Sequence, residues 1–428
     1  MLHSILVPIL GPVFVLSVCI FVHEIGHLLA CLISGVRVEK FSLGFGKRLF
    51  GRTYKGCEYQ IAVIPFGGYV KMAGGDLPHE AKGEKDELHS KPFYIKAFVV
   101  LSGVLMNLLL GSFLFWAVFI AGVPYNPSVV GEVEKGGPAD IAEIKSKDRI
   151  LKIGKNDVSQ WKDVIKTIMM NPGKGLNFVL LRGSETIEKR VLVENVEGIG
   201  YIGVSCLVEP RIGEFVSGFP AEKAGLAKGD LVLSVDTEKV DTWEEMTYAV
   251  RAKRGEFTLL IERGGENLTF HLKPVIAKEG TITFGRIGIL PDMPIKRYSP
   301  IIALPRAISE TKEVLVLNIV GIWKLITGKL SLKTTTGPIG IIQMSAAVAK
   351  TGFINLLQLT AVISICLAVI NLLPIPIADG GVVFLFLLEA IRRKPFSEKF
   401  YQRVSQVGFA MLITLFLFVT LNDLTKIF

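Results

Sequence analysis

The sequence His23-Glu24-Ile25-Gly26-His27 places two imidazoles and a carboxylate within a short stretch of chain. On a helix, residues i and i+4 lie on one face, so His23 and His27 can hold a single zinc ion while Glu24 acts on a bound water molecule. The stretch lies within an otherwise apolar run, where ionisable side chains are costly and are retained for function. Residue types and spacing therefore predict a zinc site with hydrolytic chemistry inside a membrane-spanning segment.

A zinc ion with two histidine ligands needs a third protein ligand and an open position for water. Asp379, in the stretch VINLLPIPIADGGVVF from Val369 to Phe384, is the strongest candidate. Pro374 and Pro376 break the helix there, and such irregular backbone survives at membrane depth only when it is buried in protein or lines a wet cavity. His23 and Asp379 both lie about 20 residues from the outer starts of their spans, so we expect them at similar depth.

The chain is apolar enough to cross a membrane several times. Half of its 428 residues are hydrophobic, and its mean hydropathy is +0.48. Crossing about 30 Å of hydrocarbon takes roughly 20 apolar residues. Charge-free runs of that size occur at Ser4 to Val22, which continues past the histidines to Val36, and at Ala97 to Val123, Thr351 to Ala378 and Val404 to Leu421. We therefore expect a polytopic α-helical membrane protein with four transmembrane helices rather than a soluble protein.

Lysine and arginine near the membrane ends predict the orientation, because these residues are enriched in cytoplasmic loops. They cluster after the first span and before the fourth, at Arg37, Lys40, Lys47, Arg48, Arg52 and Lys55 and again at Arg392, Arg393, Lys394, Lys399 and Arg403. Both segments should be cytoplasmic, and the region from Pro124 to Gly352 should lie on the outer side. The net charge of +9 is then explained by the lipid bilayer and needs no nucleic-acid partner.

The outer region contains an internal repeat whose two copies are 82 residues apart, so that position 148 aligns with position 230. The aligned pairs are Pro138 with Pro220, Ala139 with Ala221, Asp148 with Asp230, and Trp161 with Trp243. Such self-similarity marks duplicated modules, and the second copy resembles a PDZ domain, a mixed α/β fold that binds extended peptides at a sheet edge. The first copy has Glu143 and Lys147 where the second has Gly225 and Gly229. The alternative is that these modules only fill space or hinder access.

The motifs together resemble the site-2 protease family over nearly the whole chain. The resemblance rests on HEIGH in the first span, N-x-x-P-x-P-x-x-D-G-G in the third, and PDZ modules between the second and third spans. It implies an intramembrane endopeptidase of the bacterial inner membrane with Zn2+ as cofactor and two tandem PDZ domains facing the periplasm. By position it also implies that His23, His27 and Asp379 ligate zinc and that Glu24 is the catalytic base.

Weaker matches to the family indicate residues that bind an extended substrate. The resemblance implies a cytoplasmic-side β-hairpin region whose Gly44-Phe45-Gly46 edge pairs with unwound substrate. We further expect Asn371 and the loop with Pro374 and Pro376 to help clamp that substrate, the alternative for Asn371 being a helix C-cap before the prolines. Asn107, in the sequence GVLMN, matches the asparagine of the family's second-span motif. The expected substrates are single-pass membrane proteins of the anti-sigma-factor type or remnant signal peptides.

These observations divide the chain into segments. The expected boundaries are 1–36 for the first span with HExxH, 37–96 for the hairpin region and loop, 97–123 for the second span, 124–205 and 206–292 for the two PDZ domains, 293–350 for an interfacial amphipathic helix and linker, 351–390 for the third span, 391–403 for a cytoplasmic loop, and 404–428 for the fourth span and C-terminus. The amphipathic helix is expected where charged side chains interrupt an apolar run.

Two alternatives belong to other classes of protein. A catalytically weak membrane scaffold would bind peptides through its PDZ domains, and its metal content would separate it from an enzyme. A conventional zinc protease acting on soluble proteins would have a further histidine or glutamate ligand close downstream of HExxH. This sequence has none at the usual spacing, and its HEIGH motif lies in a predicted span.

Overall fold

The computed structural model describes residues 2–74, 83–196, 198–216, 218–279, 282–328 and 335–427. The chain divides into two compact units, one formed by Met1–Gly122 with Arg297–Phe428 and the other by Val123–Lys296. The charged stretch from Asp76 to Lys91, within the expected segment 37–96, lies partly outside the described residues. The first unit takes in both of the motifs that carry candidate zinc ligands.

The described residues form eleven α-helices and twenty β-strands. The helices are α1 Leu2–Ser34, α2 Phe93–Ala121, α3 Pro138–Ile141, α4 Trp161–Met169, α5 Pro220–Lys223, α6 Trp243–Ala252, α7 Pro300–Ile326, α8 Pro338–Thr351, α9 Phe353–Leu372, α10 Asp379–Arg392 and α11 Glu398–Ile427. The strands are β1 Val38–Tyr54, β2 Cys57–Met72, β3 Val123–Pro124, β4 Val130–Val133, β5 Arg149–Ile153, β6 Asn156–Asp157, β7 Gly175–Arg182, β8 Glu185–Leu192, β9 Glu194–Val196, β10 Ile199–Tyr201, β11 Val204–Cys206, β12 Ile212–Phe215, β13 Leu231–Val235, β14 Glu238–Lys239, β15 Phe257–Arg263, β16 Glu266–Leu272, β17 Val275–Glu279, β18 Ile282–Arg286, β19 Ile289–Pro291 and β20 Ile295–Lys296.

Four helices are long and apolar enough to cross a membrane, in agreement with the four predicted spans. They are Leu6–Ser34 in α1, Phe93–Ala121 in α2, Phe353–Leu372 in α9 and Glu398–Thr425 in α11. The expected third span, 351–390, is divided, because α9 ends at Leu372 and α10 begins at Asp379. Helix α11 begins at Glu398, before the expected residue 404. At about 1.5 Å per residue, its 30 residues are longer than the hydrocarbon layer is thick.

Helix α2 packs closely against α1 and α9 through glycines. A Cβ atom on Gly111 of α2 would lie 2.6 Å from Cγ1 of Ile365 in α9. A Cβ atom on Gly26 of α1 would lie 2.5 Å from the carbonyl oxygen of Ser102 in α2. Because neither glycine has a side chain, the helices approach closely enough to bring polar groups from different helices together.

Helix α7 packs lengthwise against α2 and α9. The Ser112 hydroxyl of α2 donates to the Thr311 hydroxyl at 3.1 Å, and the thiol of Cys366 in α9 donates to the side-chain oxygen of Asn318 at 3.1 Å. A helix therefore forms within the expected segment 293–350, and it lies beside two candidate spans. Its interfacial position relative to a bilayer stays a prediction.

Strands β1 and β2 pair with each other in an unusual register. Leu43 of β1 is opposite both Ile61 and Gly68 of β2, because two segments of β2 pair with the same part of β1. Residues 68–70 of β2 pair with β1 on one side, and no other strand of the described residues pairs with them. This segment is therefore a free sheet edge. The cytoplasmic location of the hairpin stays a prediction.

The second unit contains two modules with the same topology, as the internal repeat indicates. Their four-stranded sheets have the orders β6-β5-β7-β8 and β14-β13-β15-β16, and a helix begins at the aligned residues Trp161 and Trp243. Each module has its own core, with Phe178 fully buried in the first and Leu259 fully buried in the second. Hydrophobic contacts therefore stabilise the modules separately. Their identification as tandem PDZ domains stays a proposal.

The aligned aspartates are buried, and each forms the same ion pair with a half-exposed arginine. Asp148 accepts two hydrogen bonds from the guanidinium of Arg182, and Asp230 accepts two from Arg263, all at 2.7 Å. Burial alone would raise the pKa of each carboxyl group, but the arginine and a backbone N–H three residues upstream hold it below its usual value. The ion pair therefore stabilises each module at neutral pH.

The first module keeps the backbone of the second at two positions where the sequences differ. Gly225 and Gly229 have φ values of 84° and 93°, and Glu143 and Lys147 have 60° and 71°. The N–H groups of Lys147 and Gly229 make the same backbone hydrogen bond, of 2.8 Å and 2.7 Å. The left-handed conformation costs a non-glycine residue about 1 to 2 kcal/mol, because Cβ crowds the following carbonyl oxygen. The first module is therefore strained at both positions.

Lys147→Gly should stabilise the first module by about 1 kcal/mol, because glycine adopts this conformation without strain. The measurement is the urea midpoint for unfolding of residues 123–296, which form a compact unit. Gly229→Lys is the matched control and should destabilise the second module by a similar amount. A lower midpoint for Lys147→Gly would contradict the strain.

Asp148→Asn should lower the free energy of unfolding at neutral pH by about 2 kcal/mol, because it weakens a charged, buried hydrogen-bonded pair. The pKa of Asp148 is depressed in the folded state, so its stabilisation is present above about pH 4 and is lost as the pH falls through the folded-state pKa. The variant should therefore lose less stability on acidification, as measured by urea unfolding at neutral and acidic pH. Asp157→Asn is the control, because the side chain of Asp157 is 83% exposed. Equal acid sensitivity of wild type and Asp148→Asn would contradict the expectation.

Candidate metal centre

The three predicted zinc ligands come together in the first unit. His23 and His27 lie one turn apart on α1, and Asp379 is the first residue of α10. The Nε2 atoms of the two histidines are 3.2 Å apart, and Oδ2 of Asp379 is 3.3 Å from Nε2 of His23 and 3.7 Å from Nε2 of His27. One ligand atom from each residue lies within 4.8 Å of the others. Residues from opposite ends of the chain thus form one cluster in which a single cation fits.

A backbone carbonyl group fixes the orientation of His27. Nδ1 of His27 lies 2.9 Å from the carbonyl oxygen of Val99 in α2, and this contact is buried. A carbonyl oxygen only accepts, so Nδ1 carries the proton and Nε2 of the neutral imidazole keeps its lone pair. That Nε2 is the atom that faces Asp379.

Gly103 of α2 provides the space in which both imidazoles lie. A Cβ atom on this residue would lie 2.5 Å from Nε2 of His27 and 2.6 Å from Cε1 of His23. Any larger residue would therefore displace a histidine. The sequence analysis used the stretch GVLMN only for Asn107, and Gly103, its first residue, was missed because its role depends on packing between helices.

The segment between α9 and α10 turns sharply and places Asp379 beside the histidines. Cβ atoms on Gly380 and Gly381 would lie 2.2 Å and 2.1 Å from backbone carbonyl oxygens of the preceding segment. These glycines permit the tight backbone approach. Ile377 has a φ of 87°, an outlier for a β-branched residue. Such strain persists only where the surrounding structure enforces it, and it occurs here next to a candidate ligand.

Glu24 lies beside the free edge of the hairpin. A Cβ atom on Gly68 of β2 would lie 3.0 Å from Cγ of Glu24 and 3.7 Å from its Cδ. Gly68 belongs to the segment of β2 that pairs with β1 on one side. An extended peptide paired with this edge would therefore run next to Glu24. Gly68 was missed by the sequence analysis, although it stands in the stretch PFGGYV.

The predicted edge Gly44-Phe45-Gly46 lies on the other strand. Phe45 is opposite Ile64 of β2, and its ring stacks on Tyr69 with the centroids 6.2 Å apart. The ring also covers Gly67, where a Cβ atom would lie 2.0 Å from it. The free edge beside Glu24 is thus formed by β2, and contact of Gly44-Phe45-Gly46 with substrate stays a prediction.

The other predicted substrate-binding residues lie near His23 or in the loop before α10. Nδ2 of Asn371 is 3.5 Å from Nε2 of His23, and Nδ2 of Asn107 is 3.4 Å from its Nδ1. Asn107 is 1% exposed, so it contacts a histidine rather than an open surface. Pro374 is exposed and Pro376 is half-buried. Substrate binding by these residues stays a prediction.

The donor set suits a zinc ion. Oδ2 of Asp379 is buried and has no hydrogen-bond partner among the described residues. An unpaired buried carboxylate oxygen costs free energy, whereas a divalent cation would satisfy it together with two imidazole nitrogens. Two histidines and one carboxylate are a ligand set that catalytic zinc sites use.

The family to which the chain belongs is shown by the extent of its match. Residues 12–415 match peptidase family M50, so the chain is a member of this family, the site-2 proteases. It is a zinc metalloendopeptidase embedded in a membrane.

Individual relatives match the chain over nearly its whole length and nearly all of their own. The chain is 31% identical to regulator of sigma-E protease RseP of Salmonella typhimurium, over 99% of this chain and 100% of the relative. It is 31% identical to RseP of Escherichia coli, over 96% and 97%, and 29% identical to a putative zinc metalloprotease of Vibrio cholerae, over 97% and 98%. A solved PDZ domain of an SdrC-like protein from Listeria monocytogenes matches 20% of this chain and 90% of that chain at 20% identity, with a TM-score of 0.18, too low to bear on the fold.

Gly103→Ala should weaken zinc binding at least about tenfold, because the added methyl group displaces the imidazoles from the positions in which Asp379 meets them. The measurement is zinc content of the purified protein during titration with a chelator. Gly321→Ala is the matched control, since a Cβ atom on that helical glycine meets nothing within 4 Å. Unchanged zinc retention in Gly103→Ala would show that the histidines are free to move.

Proposed function

We propose that His23, His27 and Asp379 hold the zinc ion, that Glu24 is the catalytic base, and that the enzyme cleaves peptide bonds within transmembrane segments of other proteins. The observation that carries this proposal is the convergence of three ligand atoms within 4.8 Å, two of them on a helix apolar enough to span a membrane. Ionisable groups in such a helix are costly and mark a functional site.

Asn107 is proposed to orient His23. Oδ1 of Asn107 is buried without a hydrogen-bond partner in the described parts of the chain, while its Nδ2 faces Nδ1 of His23. Rotating the side-chain amide by 180° would let Oδ1 accept the Nδ1 proton, which leaves Nε2 of His23 free for the metal. Both histidines would then present Nε2, each held by a partner on α2.

The residues of the site divide the chemistry of hydrolysis between them. When bound, zinc supplies Lewis-acid polarisation of the scissile carbonyl and a water molecule whose pKa is near 7. Glu24 accepts a proton from the attacking water and delivers it to the leaving nitrogen, so one carboxylate serves both proton transfers. His23, His27 and Asp379 would fix the place at which the water loses its proton to Glu24 and attacks the carbonyl carbon.

The hairpin is proposed to hold the substrate in extended form. A transmembrane helix satisfies its peptide groups internally, so a bond within it becomes accessible only after local unwinding. The free edge at residues 68–70 would offer backbone groups that replace the lost hydrogen bonds, and Gly68 brings this edge beside Glu24. Asn371, Pro374 and Pro376 would contact the same extended segment from the loop before α10.

The proposed substrates are based on the names of the relatives, and the proposed location is based on the charge distribution. Two relatives are named regulator of sigma-E protease, and we propose substrates of the matching class, single-pass membrane proteins of the anti-sigma-factor type, together with remnant signal peptides. The protein would lie in a bacterial inner membrane with its active site toward the cytoplasm. Residues 124–292 would lie outside as two PDZ domains that bind peptides or restrict access. Family membership disfavours the alternative of a catalytically weak scaffold.

Glu24→Gln should reduce cleavage of a single-pass membrane reporter at least about 100-fold while zinc is retained, because the residue transfers protons and is not a ligand. Asp379→Asn should lose both zinc and cleavage, since an amide is a poor metal ligand. Both are measured on protein reconstituted into lipid vesicles, with metal content determined in parallel. Glu185→Gln, on the exposed face of β8, is the control. Wild-type cleavage by Glu24→Gln would rule out its role as the base.

A further inference from the structure

A cavity of about 290 Å3 lies between α1 and the hairpin. Its lining includes Val18 and Phe21 of α1, Leu43 and Gly44 of β1, and Ile61 and Gly67 of β2. The lining is apolar except for Ser17, and it contains no charged side chain. Its volume is near the lower end of the range of small-ligand sites, about 300 to 1,000 Å3, so it suits a side chain rather than a whole peptide segment.

The cavity adjoins the sheet edge beside Glu24. Gly67 lines the cavity, and the next residue, Gly68, approaches Glu24. Phe21 and Ser17 precede Glu24 by about 4.5 Å and 10.5 Å along the axis of α1, at 1.5 Å per residue. An extended peptide rises about 3.3 Å per residue. A peptide bond held at Glu24 would therefore place a residue one to three positions away at the cavity.

The hairpin wall of the cavity is fixed by buried hydrogen bonds. The Ser42 hydroxyl donates to the carbonyl oxygen of Gly44 at 2.9 Å, and the amide of Gln60 donates to the Ser42 hydroxyl at 2.9 Å. Gly44 has a φ of 89°, which a larger residue would adopt only with strain. A wall held in this way keeps its shape, and its apolar lining, with Phe21 37% and Ile61 49% exposed, gains from contact with an apolar occupant.

We propose that this cavity is the specificity subsite of the enzyme and takes one large apolar side chain of the extended substrate, such as Leu, Met or Phe, one to three residues from the cleaved bond. This inference rests on the proposed cleavage of unwound transmembrane segments. Pairing with the sheet edge uses only substrate backbone, so discrimination between sequences has to come from a side-chain pocket. Fit in an apolar pocket selects between side chains by roughly 10- to 200-fold.

The first test varies substrate and cavity together. Reporters carrying Ala, Leu, Phe or Asp at each of the four positions on either side of the cleaved bond are compared by kcat/KM. We expect wild type to prefer Leu or Phe over Ala at least about tenfold at one position within three residues of the bond. Val18→Phe fills the cavity and should remove that preference, so that kcat/KM for the Leu and Phe reporters falls to within about twofold of that for the Ala reporters. Leu10→Phe, on a side chain that is 57% exposed, is the control. An unchanged preference in Val18→Phe would overturn the subsite.

The second test does not depend on turnover. In a Glu24→Gln background and with an added thiol oxidant that accepts the two electrons, Phe21→Cys should form a disulfide with a substrate cysteine at the selected position, and Leu10→Cys should not. Zinc content reports that each variant is folded. Equal crosslinking by both cysteines, or none by Phe21→Cys, would overturn the subsite. Absence of cleavage by wild type would instead overturn the proposed function, whereas cleavage without any side-chain preference would overturn only the subsite.

Discussion

A carboxylate oxygen that lacks a partner is the constraint around which the first unit is arranged. Oδ2 of Asp379 lies 3.3 Å from His23 and 3.7 Å from His27, and the described residues offer it no hydrogen bond. In apolar surroundings such an oxygen is destabilising unless a cation satisfies it. Metal binding by the three proposed ligands would therefore stabilise the contact between α1 and α10 as well as serve catalysis. The break between α9 and α10, with its strained Ile377, is tolerated because it delivers this oxygen.

Helix α2 holds the centre without contributing a proposed ligand. Val99, Gly103 and Asn107 are spaced four residues apart and so lie along one face of the helix. The first supplies the carbonyl oxygen that orients His27, the second leaves space for both imidazoles, and the third contacts His23. Close packing at Gly26 brings this face against α1. Small residues in the interface thus set the distances on which the chemistry depends.

The sequence predicted features whose cause is local and missed those that depend on packing between distant segments. HExxH places its two histidines on one face of a helix through the helical repeat. The two prolines and two glycines around Asp379 predict the broken segment. The repeat predicted the common topology of the two modules, because aligned residues such as Asp148 and Asp230 make the same contacts. The free edge of β2 could not be predicted, since the double register at Leu43 follows no simple alternation. The role of Gly103 depends on which helix packs against it.

The proposed role of the hairpin is to expose a peptide bond within a membrane helix, which a soluble zinc protease does not have to do. A peptide bond in a helix is protected by the hydrogen bonds of that helix, and in lipid those bonds are not lost without replacement. In the proposed function, residues 68–70 would offer replacement through backbone groups, which pair with any sequence and so recognise an unwound segment rather than a sequence motif. Because Gly67 lines the cavity and Gly68 lies beside Glu24, the proposed sites of side-chain selection and proton transfer adjoin consecutive residues of the same strand. In the proposed mechanism, unwinding, selection and hydrolysis would thereby be coupled through a single stretch of backbone.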